Sequence, residues 1–178
     1  MKGKGGIIGA IITLAIGGTV FTVSKTDIVK NFSKDTGLSQ EESQQYVEGI
    51  TEDDLVSYDK LGSEFISDGQ KILSIAYDIN CVDYSYKWET NTLSCEEGKS
   101  QLIKLGNDEK SLGNAYTILA SKSASREDMS STISFIDKLN IDFRSEVVTS
   151  TLDSKTIDEV RKTNSYNKAL LQSALESK

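Results

Sequence analysis

The sequence predicts an all-α protein in which a single N-terminal transmembrane helix is followed by an antiparallel bundle of four to five helices. Three observations support this fold class. The chain of 178 residues contains no proline, which would interrupt long helices. Its β-branched residues do not form alternating runs bounded by turn dipeptides, as strands would. Apolar residues instead recur every three or four positions over much of the chain, which is typical of amphipathic helices.

The first predicted element is the uncharged segment 5–23. As a helix it would rise about 28 Å and nearly match the hydrocarbon thickness of a bilayer. We therefore expect an uncleaved membrane anchor at 1–24, with a cleaved secretory signal as the alternative. Small residues recur every four positions, which lets helix backbones approach closely in lipid. They are Gly5, Gly9, Thr13 and Gly17. This row predicts self-association or pairing with another membrane protein.

The short basic N-terminus, ending in Gly6 and followed by an apolar segment, also resembles a prepilin leader. The resemblance covers about the first twenty residues. It implies a pilin-like filament subunit that uses its N-terminal hydrophobic helix. Type IV pilins carry a glutamate at the fifth position after the cleavage site, where this chain has Ile11.

Two further regions follow the predicted anchor. The first, 25–50, is expected to be a membrane-proximal helical segment with a break at Gly37, and the second, 51–178, a soluble helical bundle. The periodicity predicts helices over about 40–48, 52–86, 95–122, 126–139 and 157–176, with a short one around 143–152. Five of these starts show the reciprocal capping pattern of a hydroxyl residue followed three positions later by an acidic one. The capping residues are Ser39, Thr51, Ser94, Ser125 and Thr156.

Composition argues against several classes of function. The net charge is -7, and lysine and arginine are scattered among acidic residues, so no concentrated positive field is available for nucleic acid. Histidine, the commonest general base and metal ligand, is absent. We therefore expect no enzymatic activity, no cofactor and no metal site, and no nucleic-acid partner.

The runs of adjacent carboxylates include four candidates for acid–base chemistry: Glu41-Glu42, Glu52-Asp53-Asp54, Glu96-Glu97 and Asp108-Glu109. Three of the four lie in the first turn of a predicted helix, where negative charge is favoured by the helix dipole. We interpret all four as structural. Gly62 and Gly69 lie seven apart on one predicted helix, and they indicate either a close approach by a neighbouring helix or tolerated defects.

Cys81 and Cys95 are predicted to form a disulfide across the tip of the first helical hairpin. Disulfides persist in oxidising compartments, so we expect the soluble domain to lie outside the cytoplasm, in the periplasm or the extracellular space. Aromatic residues cluster at the same tip and are candidate anchors for a partner protein, or plugs for the end of the bundle. They are Tyr84, Tyr86 and Trp88.

The sequence thus favours a membrane-anchored, non-enzymatic interaction or structural module that belongs to a larger membrane assembly. The alternatives are the pilin-like subunit and a ligand-sensing helical bundle that signals through a partner. A hydrolase would need acid and base residues brought together from different helices.

Overall fold

The structure is a computed structural model that describes residues 11–16, 18–50, 57–81 and 93–177. Within these ranges the chain forms a two-stranded hairpin followed by seven helices, so the prediction of a helical bundle is confirmed. The strands are β1 (Ile11–Ile16) and β2 (Thr19–Ser24). The helices are α1 (Lys25–Thr36), α2 (Gln40–Gly49), α3 (Tyr58–Asp78), α4 (Cys95–Ala120), α5 (Arg126–Asp142), α6 (Glu146–Thr151) and α7 (Ser154–Glu176).

The predicted N-terminal membrane helix is wrong, because β1 and β2 pair in antiparallel register over the residues it was to occupy. Ile16 lies opposite Thr19, which leaves a two-residue connection that includes Gly18 at φ 74°. One face of the hairpin packs on the bundle, since Ile16 and Val23 are 2% and 1% exposed, whereas Val20 is 63% exposed. The hairpin is therefore part of the folded core.

The single-pass membrane assignment and its anchor at 1–24 are corrected accordingly. No helix within the described ranges is long and apolar enough to cross a membrane. Of the row predicted to pack in lipid, Thr13 lies in β1 opposite Thr22 and is therefore not part of a membrane helix. Gly5, Gly9 and Gly17 lie outside the described residues.

Local signals set the end of α1 and the start of α2 as predicted. Gly37 adopts φ 74°, and its N–H donates to the carbonyl oxygen of Ser33, which ends α1 with a left-handed residue that glycine favours. Ser39 then caps α2: its hydroxyl accepts from the backbone N–H of Glu42, and the Glu42 carboxylate accepts from the backbone N–H of Ser39. The break between the two helices is confirmed.

The other predicted helix starts have mixed outcomes. Ser94 and Ser125 form the expected capping boxes at α4 and α5. The start at Thr156 is wrong, because Asp153 accepts its backbone N–H and α7 begins at Ser154. The fourth start, Thr51, lies outside the described residues, and α3 begins after Ser57. Helix α4 then runs without a break from Cys95 to Ala120.

The helices form one core in which α4 packs against α3 and α5, while α7 packs against α1, α5 and β2. The N-terminal and C-terminal parts of the described chain are joined where Asn31 of α1 donates a hydrogen bond to Ser173 of α7 at 3.0 Å. The largest fully buried side chains include Tyr116, Phe32, Ile28, Leu112, Leu119, Met129, Ile136, Leu139 and Leu171.

The backbones of α3 and α4 meet through glycines. A Cβ atom added at Gly69 would lie 2.5 Å from the carbonyl oxygen of Gly106, and one at Gly113 would lie 2.7 Å from that of Gly62. Real Cβ atoms do not approach a carbonyl oxygen so closely, so each of these contacts requires glycine. This confirms the close-approach interpretation of Gly62 and Gly69 and fixes α3 against α4.

Candidate binding groove between α3 and α7

A groove remains open between α3 and α7. It consists of two cavities of about 620 and 570 Å³ that share Leu61 of α3 and Thr163 of α7 in their linings. We call the first cavity the tyrosine end and the second the acidic end. From Tyr58 to Ile72, the stretch of α3 along the groove rises about 21 Å. Each cavity is within the range of roughly 300–1,000 Å³ that is usual for small-molecule sites.

Three tyrosines and the hairpin form the tyrosine end. Tyr58 and Tyr166 are 9% and 4% exposed, and their hydroxyl oxygens have no hydrogen-bond partner among the described residues. Burial raises the pKa of both hydroxyl groups, so both are neutral near neutral pH. The rings are held by neighbours: Tyr58 stacks on Tyr116 with centroids 5.5 Å apart, and Tyr46 meets the Tyr166 ring edge-on at 6.4 Å. This end offers apolar surface and free hydroxyl groups.

The acidic end combines apolar walls with a buried carboxylate. Its aromatic and aliphatic lining residues are Leu61, Phe65, Ile72, Phe143, Leu152 and Val160. Glu109 of α4 is 6% exposed, and its Oε2 has no hydrogen-bond partner in the described part of the chain. Burial, and secondarily the charge of Asp68, raise the pKa of Glu109 to about 7. The side chain is therefore divided between its neutral and ionised forms at neutral pH.

The neighbouring carboxylate, Asp108, faces a different environment. Lys104 hydrogen-bonds to Asp108 at 2.9 Å and also to Asp142 of α5. Burial raises the pKa of Asp108, but the hydrogen bonds with Lys104 and Asp142 and the charges of Lys104 and Lys138 together outweigh burial and lower it. Burial raises the pKa of Asp142 in spite of Lys104. Asp108 thus joins α4 to α5 through Lys104.

Glu109 is the residue that sequence reasoning missed. We treated Asp108 and Glu109 as one structural pair, although it was the pair that did not lie in the first turn of a predicted helix. Successive residues on a helix point about 100° apart, so two adjacent carboxylates need not share a partner. The position of Asp108-Glu109 in the interior of a predicted helix, and not in its first turn, was the signal that could have singled out Glu109.

The predicted disulfide between Cys81 and Cys95 is confirmed. It joins the chain just after α3 to the first residue of α4, with Cα atoms 5.6 Å apart. The bond fits an oxidising, extracytoplasmic location. The predicted partner-binding residues Tyr84, Tyr86 and Trp88 lie outside the described residues.

No protein-family model matches this chain, and no curated protein or solved structure is significantly similar to it.

Proposed function

We propose that the chain is a non-enzymatic binding module that works outside the cytoplasm and holds a small amphiphilic ligand in the groove between α3 and α7. This proposal rests on one observation, the open space between α3 and α7, two helices that belong to the same core. Its walls are largely apolar, and it offers a few polar groups for orientation, which is the usual composition of a ligand site. This develops the ligand-sensing alternative.

The groove has one wall that is held firmly in place. The backbone of α3 is locked against α4 by the glycine contacts, and the disulfide ties its C-terminal end to the start of α4. A pre-organised wall lowers the conformational entropy that the protein must lose when it binds a ligand. Assembly with a partner protein through Tyr84, Tyr86 and Trp88 remains a separate prediction.

The test uses three probes with the same ten-carbon body and different head groups: decylamine, 1-decanol and decanoate. Thr163 is exposed and lines both cavities, so Thr163→Trp places a large ring in the groove. Thr26→Trp is the matched control, since Thr26 is exposed on α1 and lines neither cavity. Binding is measured by titration calorimetry, and folding by circular dichroism.

We expect at least one probe to bind the wild-type protein saturably with one site per chain. Thr163→Trp should weaken that binding at least tenfold, and Thr26→Trp should leave it unchanged. Saturable binding by none of the three probes, or equal binding by the two variants, contradicts the proposal.

A further inference from the structure

Glu109 is the most informative side chain of the groove because it is buried without a partner. Its Oε2 is fully enclosed and accepts no hydrogen bond from the described residues. A buried carboxylate that lacks a partner is costly in its ionised form, and native proteins seldom retain such a group without a reason. A ligand that supplies the missing donor would remove this cost.

The other acidic residues that line the acidic end differ from Glu109 in this respect. Each lies on the rim, more than half exposed, and has a lysine nearby on its own helix. The pairs are Lys71–Asp68 at 2.7 Å, Lys60–Glu64 at 3.8 Å and Lys155–Glu159 at 3.8 Å. None of the described lysines or arginines forms an ion pair with Glu109. Among the described residues that line the acidic end, Glu109 is therefore the carboxylate that has no ion-pair partner when it is ionised.

The surroundings of Glu109 favour an organic cation over a metal ion. A divalent cation such as Ca²⁺ or Mg²⁺ requires about six or more oxygen ligands. Among the described residues, no three side chains of the ligating types converge on one point. The walls beside Glu109 are instead apolar, with Phe65 and Ile72 on α3 and Val160 on α7. A cation that carries its own apolar body is complementary to both features.

We propose that the acidic end of the groove binds a primary ammonium group, so that the ligand is an amphiphilic organic amine. The ammonium donates to the Glu109 carboxylate, and the apolar body lies along Phe65 and Val160 toward the tyrosine end. This inference rests on the proposed binding function of the groove and specifies its ligand class.

The proposal predicts that binding weakens as pH falls. The pKa of Glu109 lies near 7, so the carboxylate is mostly ionised at pH 8 and mostly neutral at pH 6. The charged groups that face it are Glu64, Asp68 and Lys71 on α3 and Glu159 on α7. Those carboxylates are exposed on the rim, and an alkylammonium also stays charged between pH 6 and pH 8. Protonation of Glu109 therefore dominates the change.

The experiment compares decylamine with 1-decanol on the wild-type protein and on two variants. Glu109→Gln removes the buried charge of the acidic end, and Glu127→Gln removes an equal charge from an exposed position on α5 that lines neither cavity. At pH 8 we expect the wild-type protein and Glu127→Gln to bind decylamine at least tenfold more tightly than decanol. Glu109→Gln should lose this preference. In the wild-type protein, the affinity for decylamine should fall about tenfold from pH 8 to pH 6, as the ionised fraction of Glu109 falls.

The outcomes distinguish failure of the ammonium site from failure of the groove as a binding site. Equal binding of the amine and the alcohol, tighter binding of decanoate, or equal losses in the two variants overturns the ammonium site and leaves the groove as a binding site. Binding of none of the three probes overturns both. The wild-type pH series remains decisive if Glu109→Gln fails to fold, because a pH-independent amine affinity would also overturn the inference.

Discussion

The carbonyl oxygen of Gly62 on α3 lies 2.7 Å from the position that a Cβ atom on Gly113 of α4 would occupy. The backbone N–H of Ile66 lies nearly as close, at 2.8 Å from it, so a methyl group there meets backbone on two sides. We expect Gly113→Ala to lower the free energy of unfolding by about 2 kcal/mol, because the helices must separate. Gly49→Ala is the control, since nothing lies within 4 Å of its added Cβ, and it should stabilise by about 0.5 kcal/mol. Urea unfolding of both variants checks this, and a stabilised Gly113→Ala would contradict the close packing.

The hairpin provides a second test through two valines on the same strand. Val23 is 1% exposed and Val20 is 63% exposed. We expect Val23→Asp to destabilise the protein by about 3 kcal/mol or more, because a carboxylate replaces a buried apolar side chain. Val20→Asp should have little effect. Thermal denaturation of the two variants distinguishes them, and equal tolerance of both substitutions would show that the hairpin does not pack as described.

Removal of the disulfide should weaken the fold measurably. The bond closes a sequence separation of 14, for which the chain-entropy argument gives a stabilisation of about 3 kcal/mol. We expect the Cys81→Ala/Cys95→Ala double variant to lose about that much in urea unfolding, and the reduced wild-type protein to behave like it. Mass spectrometry of protein isolated with thiols blocked at lysis should recover the cross-linked peptide. Two freely alkylated cysteines in that sample would refute the bond.

Lys168 of α7 joins three helices, because its ammonium contacts Asp35 of α1 and Asp137 of α5. The Lys168 side chain is 12% exposed and that of Asp35 is 16% exposed. We expect Lys168→Met to cost about 3 kcal/mol, since it leaves a largely buried carboxylate without its cation. Lys155→Met on the same helix is the matched control and should change nothing measurable, because that side chain is 85% exposed. Similar losses in the two variants would show that Lys168 contributes only as a surface ion.

Glu109 should make stability depend on pH. Its pKa is about 7 in the folded protein and near 4.5 in the unfolded chain, so the folded state binds the proton more tightly. The contribution of Glu109 to the free energy of unfolding is therefore fully present below about pH 4.5 and is lost as the pH rises through about 7. We expect Glu109→Gln to be more stable than the wild-type protein by about 3 kcal/mol at pH 8, with most of this difference gone at pH 5. Urea midpoints at the two pH values test this, and a difference that does not change with pH would refute it.

The helical bundle could be predicted because its signals are local. At Ser39, Ser94 and Ser125 the hydroxyl and the acidic residue three positions later are both present, and both hydrogen bonds form. Thr156 has the same pattern, but Asp153 lies three residues before it and accepts its N–H. Two overlapping caps compete, and the pattern alone does not decide between them.

The hairpin was missed because mean hydropathy does not distinguish an apolar helix from paired apolar strands. The sequence does contain a hairpin signal, since Gly17-Gly18 separates two short segments that are rich in isoleucine, valine and threonine. Uninterrupted apolar length outweighed this signal in our interpretation. The groove could not be predicted at all, because whether Asp108 or Glu109 meets a lysine depends on how α4 is oriented between α3 and α5.

The hydrogen bond between Asn31 and Ser173 spans 142 positions of the chain, and it lies where α1 packs against α7. The ribosome makes α1 long before α7, so α1 and the hairpin lack this partner until the last described helix has been synthesised. Contacts of such long sequence separation form late, since loop closure must precede them. Phe32 of α1 also stacks on Tyr46 of α2, with ring centroids 4.8 Å apart, so part of its burial comes from a helix that is made soon after it. The N-terminal helices can therefore pair locally first, but the contacts of α1 with α7 form only once α7 has been made.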